Sequence, residues 1–114
     1  MITLAQIHQG IAKEIARQEE LVEEMAQIAD LAAETEANYK AEYAKARLSV
    51  RAVSKEKLTV DEVGDRALDL CEELHLHYLL AQNRMTVARE ALRSSQSRLD
   101  GYRSLLVSVR GAGG

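Results

Sequence analysis

The stretch Ala52-Val53-Ser54-Lys55-Glu56-Lys57-Leu58-Thr59-Val60-Asp61-Glu62 decides the fold. Thr59 followed three residues later by Glu62 is a capping box, in which the hydroxyl accepts the N3 amide and the carboxylate reaches back to the cap amide. Leu58 before the cap and Val63 at the fourth helical position have the spacing of a hydrophobic staple. A helix therefore begins at Thr59, and the one before it ends near Val53. The residues between, 54–58, form a short basic turn.

Working outward, Thr3 and Gln6 repeat the capping box at the start of the chain, with Ile2 and Ile7 at staple spacing. Heptad rows follow. One is Leu4, Ile11, Gln18, Met25, Ala32, Tyr39, Ala46, Val53; the other is His8, Ile15, Val22, Ala29, Glu36, Tyr43, Val50. Most of these positions are apolar or Tyr, which is a coiled-coil seam interrupted by Gln18 and Glu36. Beyond the turn the rows continue as Val60, Ala67, Leu74, Ala81, Ala88, Ser95, Tyr102, Val109 and Gly64, Cys71, Tyr78, Met85, Leu92, Leu99, Leu106. Only Ser95 and Gly64 break them. Gly10 falls outside the seam and costs about 1 kcal/mol relative to Ala. Gly101 lies beside it, and Gly111-Ala112-Gly113-Gly114 reads as a C-cap and flexible tail.

Charge tests the same arrangement independently. Residues 1–36 carry two basic and eight acidic side chains, 37–58 six and two, 59–76 one and six, and 77–114 six and two. Folded back at the turn, each acidic block faces a basic one. Single exposed pairs contribute a few tenths of a kcal/mol, but as a set they select register and orientation. The expected fold is all-α: one long antiparallel two-helix hairpin, with helices over 3–53 and 59–110 in a single domain and a tail at 111–114. Each helix would be roughly 70–75 Å long at 1.5 Å per residue.

Composition agrees. The chain has 114 residues with 29% charged, no Pro, Trp or Phe, and one Cys, so no internal disulfide forms. Its net charge of −3 gives no global attraction to nucleic acid or anionic lipid. No signal peptide and no apolar run of about 18 residues appear. The expectation is a cytoplasmic protein with no membrane association and no small-molecule substrate.

A hairpin has one seam, yet the helices carry more apolar surface than one seam uses. Around Leu74-His75-Leu76-His77-Tyr78-Leu79-Leu80-Ala81 the second helix is apolar on nearly every side. Leu76, Leu80 and Val87, with Leu79 beside them, form a stripe off the seam. Ile7, Leu21 and Ile28 form a similar extra stripe on helix 1. Helices apolar all round are buried, so another copy of the chain or another protein must cover these faces. Self-association into a homo-oligomer is the expectation.

Residue chemistry offers no enzyme. Cys71 and His75 share the i, i+4 spacing of two metal ligands, but Cys71 sits in the seam and a closed zinc site needs four donors. The pairs Glu19-Glu20 and Glu23-Glu24 read as solvated faces, and no phosphate loop or nucleophilic triad is present. No catalytic residue, metal site or cofactor is assigned. Basic clusters carry the functional interest: Lys40, Lys45, Arg47, Arg51, Lys55 and Lys57 near the turn, and Arg84, Arg89, Arg93, Arg98, Arg103 and Arg110 toward the C-terminus. They either pair with acidic residues of the opposite helix or contact phosphates, where Lys40, Arg47 and Arg51 beside Tyr39 and Tyr43 would join charge to aromatic faces.

The segment Tyr39-Lys40-Ala41-Glu42-Tyr43-Ala44-Lys45-Ala46-Arg47, the turn from Lys57 to Glu62, Tyr78-Leu79-Leu80-Ala81, and Leu92, Leu99 and Leu106 between arginines together resemble small phage-encoded proteins of recombination modules. The pattern, over roughly residues 37–110, is similar in particular to the recombination mediators of T-even-type phages. That resemblance implies a helical ring-forming protein of the bacterial host cell's cytoplasm, with single-stranded DNA and recombination proteins as partners. The turn-proximal cations would supply its DNA contacts. The alternative class is a coiled-coil scaffold or adaptor, or a host-directed inhibitory protein, that grips a protein partner through Leu76, Leu80 and Val87.

Overall fold

The computed structural model describes residues 1–113 and is all-α: α1 (Leu4–Val53), α2 (Val60–Leu70) and α3 (Glu72–Gly113), with no strand among the described residues. Both helix starts form as their sequences dictate. The Thr3 amide donates to Gln6 Oε1 at 2.8 Å, and the Gln6 amide donates to Thr3 Oγ1 at 3.2 Å. At the second start the Glu62 amide donates to Thr59 Oγ1 at 3.2 Å. Here the carboxylate of Glu62 accepts a hydrogen bond from the Thr59 hydroxyl, also at 3.2 Å, instead of one from the cap amide. Val63 is buried and Leu58 half-buried, as the two positions of a staple should be. Between the helices Ser54 closes a small side-chain turn: its hydroxyl donates to Glu56 O at 3.0 Å and accepts from Glu56 N at 3.3 Å.

Two features depart from the sequence reading. The expected second helix over 59–110 is divided at Cys71, whose φ of −110° and ψ of 18° leave the helical region. The Cys71 amide is shared between Ala67 O at 3.2 Å and Leu68 O at 3.0 Å, while its carbonyl accepts from His75 N at 2.8 Å. No Gly or Pro announces this break, and the helix beyond it begins with Glu72 and Glu73, which suit the positive end of a helix dipole. At the C-terminus α3 continues through Gly111, Ala112 and Gly113, where a cap and flexible tail were expected; Gly114 lies outside the described residues.

The chain packs as two compact units, residues 1–27 with the segment from Thr86 onward, and Ile28–Met85. In the first, Ile7, Leu21, Ser95 and Leu99 are buried. Glu14, only 12% exposed at its side chain, accepts from Ser95 Oγ at 2.7 Å and from Arg98 Nε at 2.9 Å. Gln18 Nε2 makes a long contact with Gln96 Oε1 at 3.4 Å. Two of the four interruptions of the seam, Gln18 and Ser95, are thus matched to polar partners on the facing helix. In the second unit, buried Ala46, Ala67 and Cys71 pack with half-buried Tyr39 and Tyr43. The small residues make room for the rings: a Cβ on Gly64 would stand 3.2 Å from the Tyr43 hydroxyl.

The rows assigned to α2 and α3 face inward as expected, except Val60, which is 64% exposed. On α1 one row holds from Ile11 to Ala46, with its ends Leu4 and Val53 43% and 77% exposed, but the other changes place. His8, Ile15 and Val22 lie outside, Ile15 and Val22 being 42% and 55% exposed. Ile7, Glu14 and Leu21 occupy the inner positions instead, and only farther on do Glu36, Tyr43 and Val50 turn in. A straight α-helix drifts about 20° per heptad against a strict seven-residue repeat. The row from Ile11 to Ala46 stays inside, while its flank moves on by one residue from Ile7, Glu14 and Leu21 to Glu36, Tyr43 and Val50, the direction in which a period of about 3.6 residues drifts.

Gly10 also belongs to the interior. A Cβ there would collide with the Tyr102 ring, meeting Cδ1 at 2.9 Å and Cε1 and Cζ closer still, whereas Gly101 has nothing within 4 Å. Overpacking costs about 1–3 kcal/mol, against a helix-propensity gain of about 1 kcal/mol for Gly to Ala. Gly101→Ala is therefore expected to raise the thermal midpoint, and Gly10→Ala to lower it. In a Tyr102→Ala background, Gly10→Ala should become stabilising. Calorimetry of the four variants checks this, and a stabilising Gly10→Ala in the wild-type background would count against the contact.

Candidate interaction surfaces

The six turn-proximal cations are not equivalent. Lys40 Nζ donates to Glu36 Oε1 at 2.7 Å, one turn back on α1, and Lys45 Nζ to Glu42 Oε1 at 3.2 Å. The hydrogen bond to Glu36, and then its charge, holds the Lys40 ammonium above its ordinary pKa. Arg47 lies over the Tyr43 ring, its Cζ 5.8 Å from the centroid, a contact that stabilises by about 0.5–1 kcal/mol at an exposed site. Arg51, Lys55 and Lys57 make no ion pair among the described residues. Leu48, 71% exposed, sits with Ala44 between Arg47 and Arg51.

Among the described residues, pairing of basic blocks with acidic blocks of the other helix is realised once, by Arg98 and Glu14. Every other ion pair among the described residues joins neighbours on one helix: Lys40 with Glu36, Lys45 with Glu42, Arg93 with Glu90 and Arg103 with Asp100. Asp61, Asp65 and Asp69 make no ion pair across the turn among the described residues. Neighbours at i, i+3 and i, i+4 meet at little cost in side-chain entropy, while long side chains reaching between helices must be ordered for a gain that water screens.

Tyr39 is the hub of an aromatic cluster. Its ring centroid lies 5.8 Å from Tyr43, 4.9 Å from His75 and 5.3 Å from Tyr78. Each such pair contributes about 0.5–1.5 kcal/mol beyond buried area. Cys71 is buried against the same cluster, so the Cys71/His75 spacing serves packing. Among the described residues no group of three or more His, Cys, Asp or Glu is placed to hold a metal ion. Nor is any helix there long and apolar enough to cross a membrane.

Of the two apolar stripes, one stands on the surface and the other does not. Leu76, Leu79, Leu80 and Val87 are 53%, 49%, 52% and 60% exposed. Beside Leu80 an open groove of about 400 Å³ runs between Leu31 and Thr35 of α1 and His77, Ala81, Asn83 and Arg84 of α3. Ile7 and Leu21, by contrast, are buried within the chain and Ile28 is half-buried. Their assignment to an intermolecular surface is corrected by the drift of the α1 face, which turns them inward and leaves Ile15 and Val22 outside. Ile7, Leu21 and Ile28 lie on a seven-residue row just as His8, Ile15 and Val22 do, so periodicity along residues 7–28 does not separate the two strips. Nothing in the sequence singled out Glu14, which binds Ser95 and Arg98.

No protein-family profile, curated protein or solved structure matches this chain.

Burial of Tyr39, and then the neighbouring Tyr43, Cys71 and Tyr78, raise its pKa above the ordinary phenol range. A raised folded-state value means a stabilising contribution present in full below about pH 10 and lost as pH climbs through the folded value. In an alkaline titration followed by phenolate absorbance, one tyrosine should ionise after the others. Tyr39→Phe should remove that late component, and its survival would show that the late tyrosine is another.

Proposed function

We propose that the chain is an antiparallel two-helix coiled coil that self-associates and acts as a scaffold or adaptor through helix-to-helix contact. The observation that carries this is the bare face of α3, where Leu76, Leu79 and Leu80 are each about half exposed beside an apolar groove. Large apolar side chains in one continuous patch mark a surface that a partner covers. The order of contacts supports antiparallel pairing in each unit. Gly10 meets Tyr102 and Glu14 meets Arg98 and Ser95; Tyr39 meets His75 and Tyr78, while Tyr43 approaches Gly64.

A second reading has its own observation. Arg51, Lys55 and Lys57 flank the linker without an ion pair among the described residues, which leaves them available to phosphates. In this reading the assembled particle is a DNA-recombination accessory that binds single-stranded DNA, as the resemblance to phage recombination proteins implies. One chain would bind weakly. Several copies brought together gain avidity.

Light scattering behind size exclusion, with and without single-stranded DNA, tests both. Wild type is expected to be oligomeric at tens of micromolar, and Leu76→Glu/Leu80→Glu to be smaller and still helical. A monomeric wild type would overturn the scaffold reading. For the second reading, DNA retardation should fall steeply between about 50 and 200 mM salt. It should vanish in Arg51→Glu/Lys55→Glu/Lys57→Glu while assembly persists. A wild-type oligomer that fails to retard DNA at low salt leaves the scaffold reading alone.

A further inference from the structure

The bare face of α3 carries its own pattern of charge. Glu73 and Arg84 are both exposed, and neither makes an ion pair among the described residues. They stand eleven residues apart on α3, which is about three turns, so both point to nearly the same side. Leu76 and Leu80 lie between them on that side, half exposed, next to the groove against Leu31. An acid at one end, a base at the other and two leucines between make a surface complementary to itself after a two-fold rotation.

We propose that α3 of a second copy docks here, antiparallel to the first, in the register that sets Glu73 of each chain against Arg84 of the other. This rests on the self-association reading and deepens it by fixing the partner surface, its direction and its register. A two-fold axis halfway between the charged residues brings Leu76 of one copy opposite Ala81 of the other, and Leu80 opposite His77. The small Ala81 floors the groove beside Leu31 and Leu80, so Leu76 of the second copy enters it as a knob enters a hole. The contact is isologous: each ion pair and each knob occurs twice, and the assembly closes at two chains per interface. A parallel arrangement would set Glu73 against Glu73 and Arg84 against Arg84. Like-charge juxtaposition excludes that orientation.

Charge swapping tests the register. Glu73→Arg places Arg opposite Arg at both ends of the interface, and Arg84→Glu places Glu opposite Glu. Each single variant, at about 50 mM salt, is expected to dissociate with a Kd raised about tenfold or more, as like charges across an interface do. An equimolar mixture of the two variants restores attraction at both ends, and should form heterodimers with a Kd within about threefold of wild type. The double variant Glu73→Arg/Arg84→Glu should self-associate like wild type. Sedimentation equilibrium gives all four constants, and circular dichroism verifies that each variant is helical. Wild type that associates while the singles are unaffected, or while their mixture is no tighter than either alone, would overturn this register and leave self-association standing. Wild type that stays monomeric would overturn self-association itself, and this proposal with it.

Discussion

Tyrosine rings packed against residues with almost no side chain are the contact on which the rest of this structure depends. Interaxial distance between packed helices is set by the side chains at the point of contact. Where one helix offers Gly, Ala or Cys, the other can lay a ring flat against its backbone. Gly10 receives Tyr102 in one unit; Ala46, Ala67, Gly64 and Cys71 surround Tyr39 and Tyr43 in the other. In a chain without Phe or Trp, tyrosine and histidine supply all the rings that fill such gaps. The helix break at Cys71 stands in the middle of the second cluster.

Polar groups inside the first unit give its packing a register that leucines alone would not. Glu14, held by Ser95 and Arg98, is shielded from water and hydrogen-bonded through both carboxylate oxygens. Slipping the facing helix by one turn would leave that carboxylate without its donors, and an unpaired buried charge costs far more than a displaced methyl group. The ion pairs along single helices do no such work. They are exposed, local and compatible with any register. Because they satisfy Lys40 and Lys45 within α1, the charge left for a partner near the linker belongs to Arg51, Lys55 and Lys57.

Much of this is legible in the amino-acid sequence. Thr3, Gln6, Thr59 and Glu62 fix both helix starts, because a capping box depends on residues three positions apart and on nothing distant. The seam rows of α2 and α3 are local for the same reason. The exposed face with Leu76, Leu79 and Leu80 follows from counting apolar residues against the width of a single seam.

What the sequence by itself determined, then, is an all-α chain, its two helix starts, the linker at 54–58 and most of the inward-facing positions. Tertiary structure alone decided which rows stay buried along α1, where α2 gives way to α3, and what each charge does. Two heptad rows one residue apart flank the same inner row, so Ile7 and Leu21 take the places of Ile15 and Val22 only when a facing helix selects the strip it covers. The hydrogen bonding of Glu14 and the close approach at Gly10 require residues more than eighty positions away. Propensity and periodicity act over a few turns and carry no information about such distant neighbours.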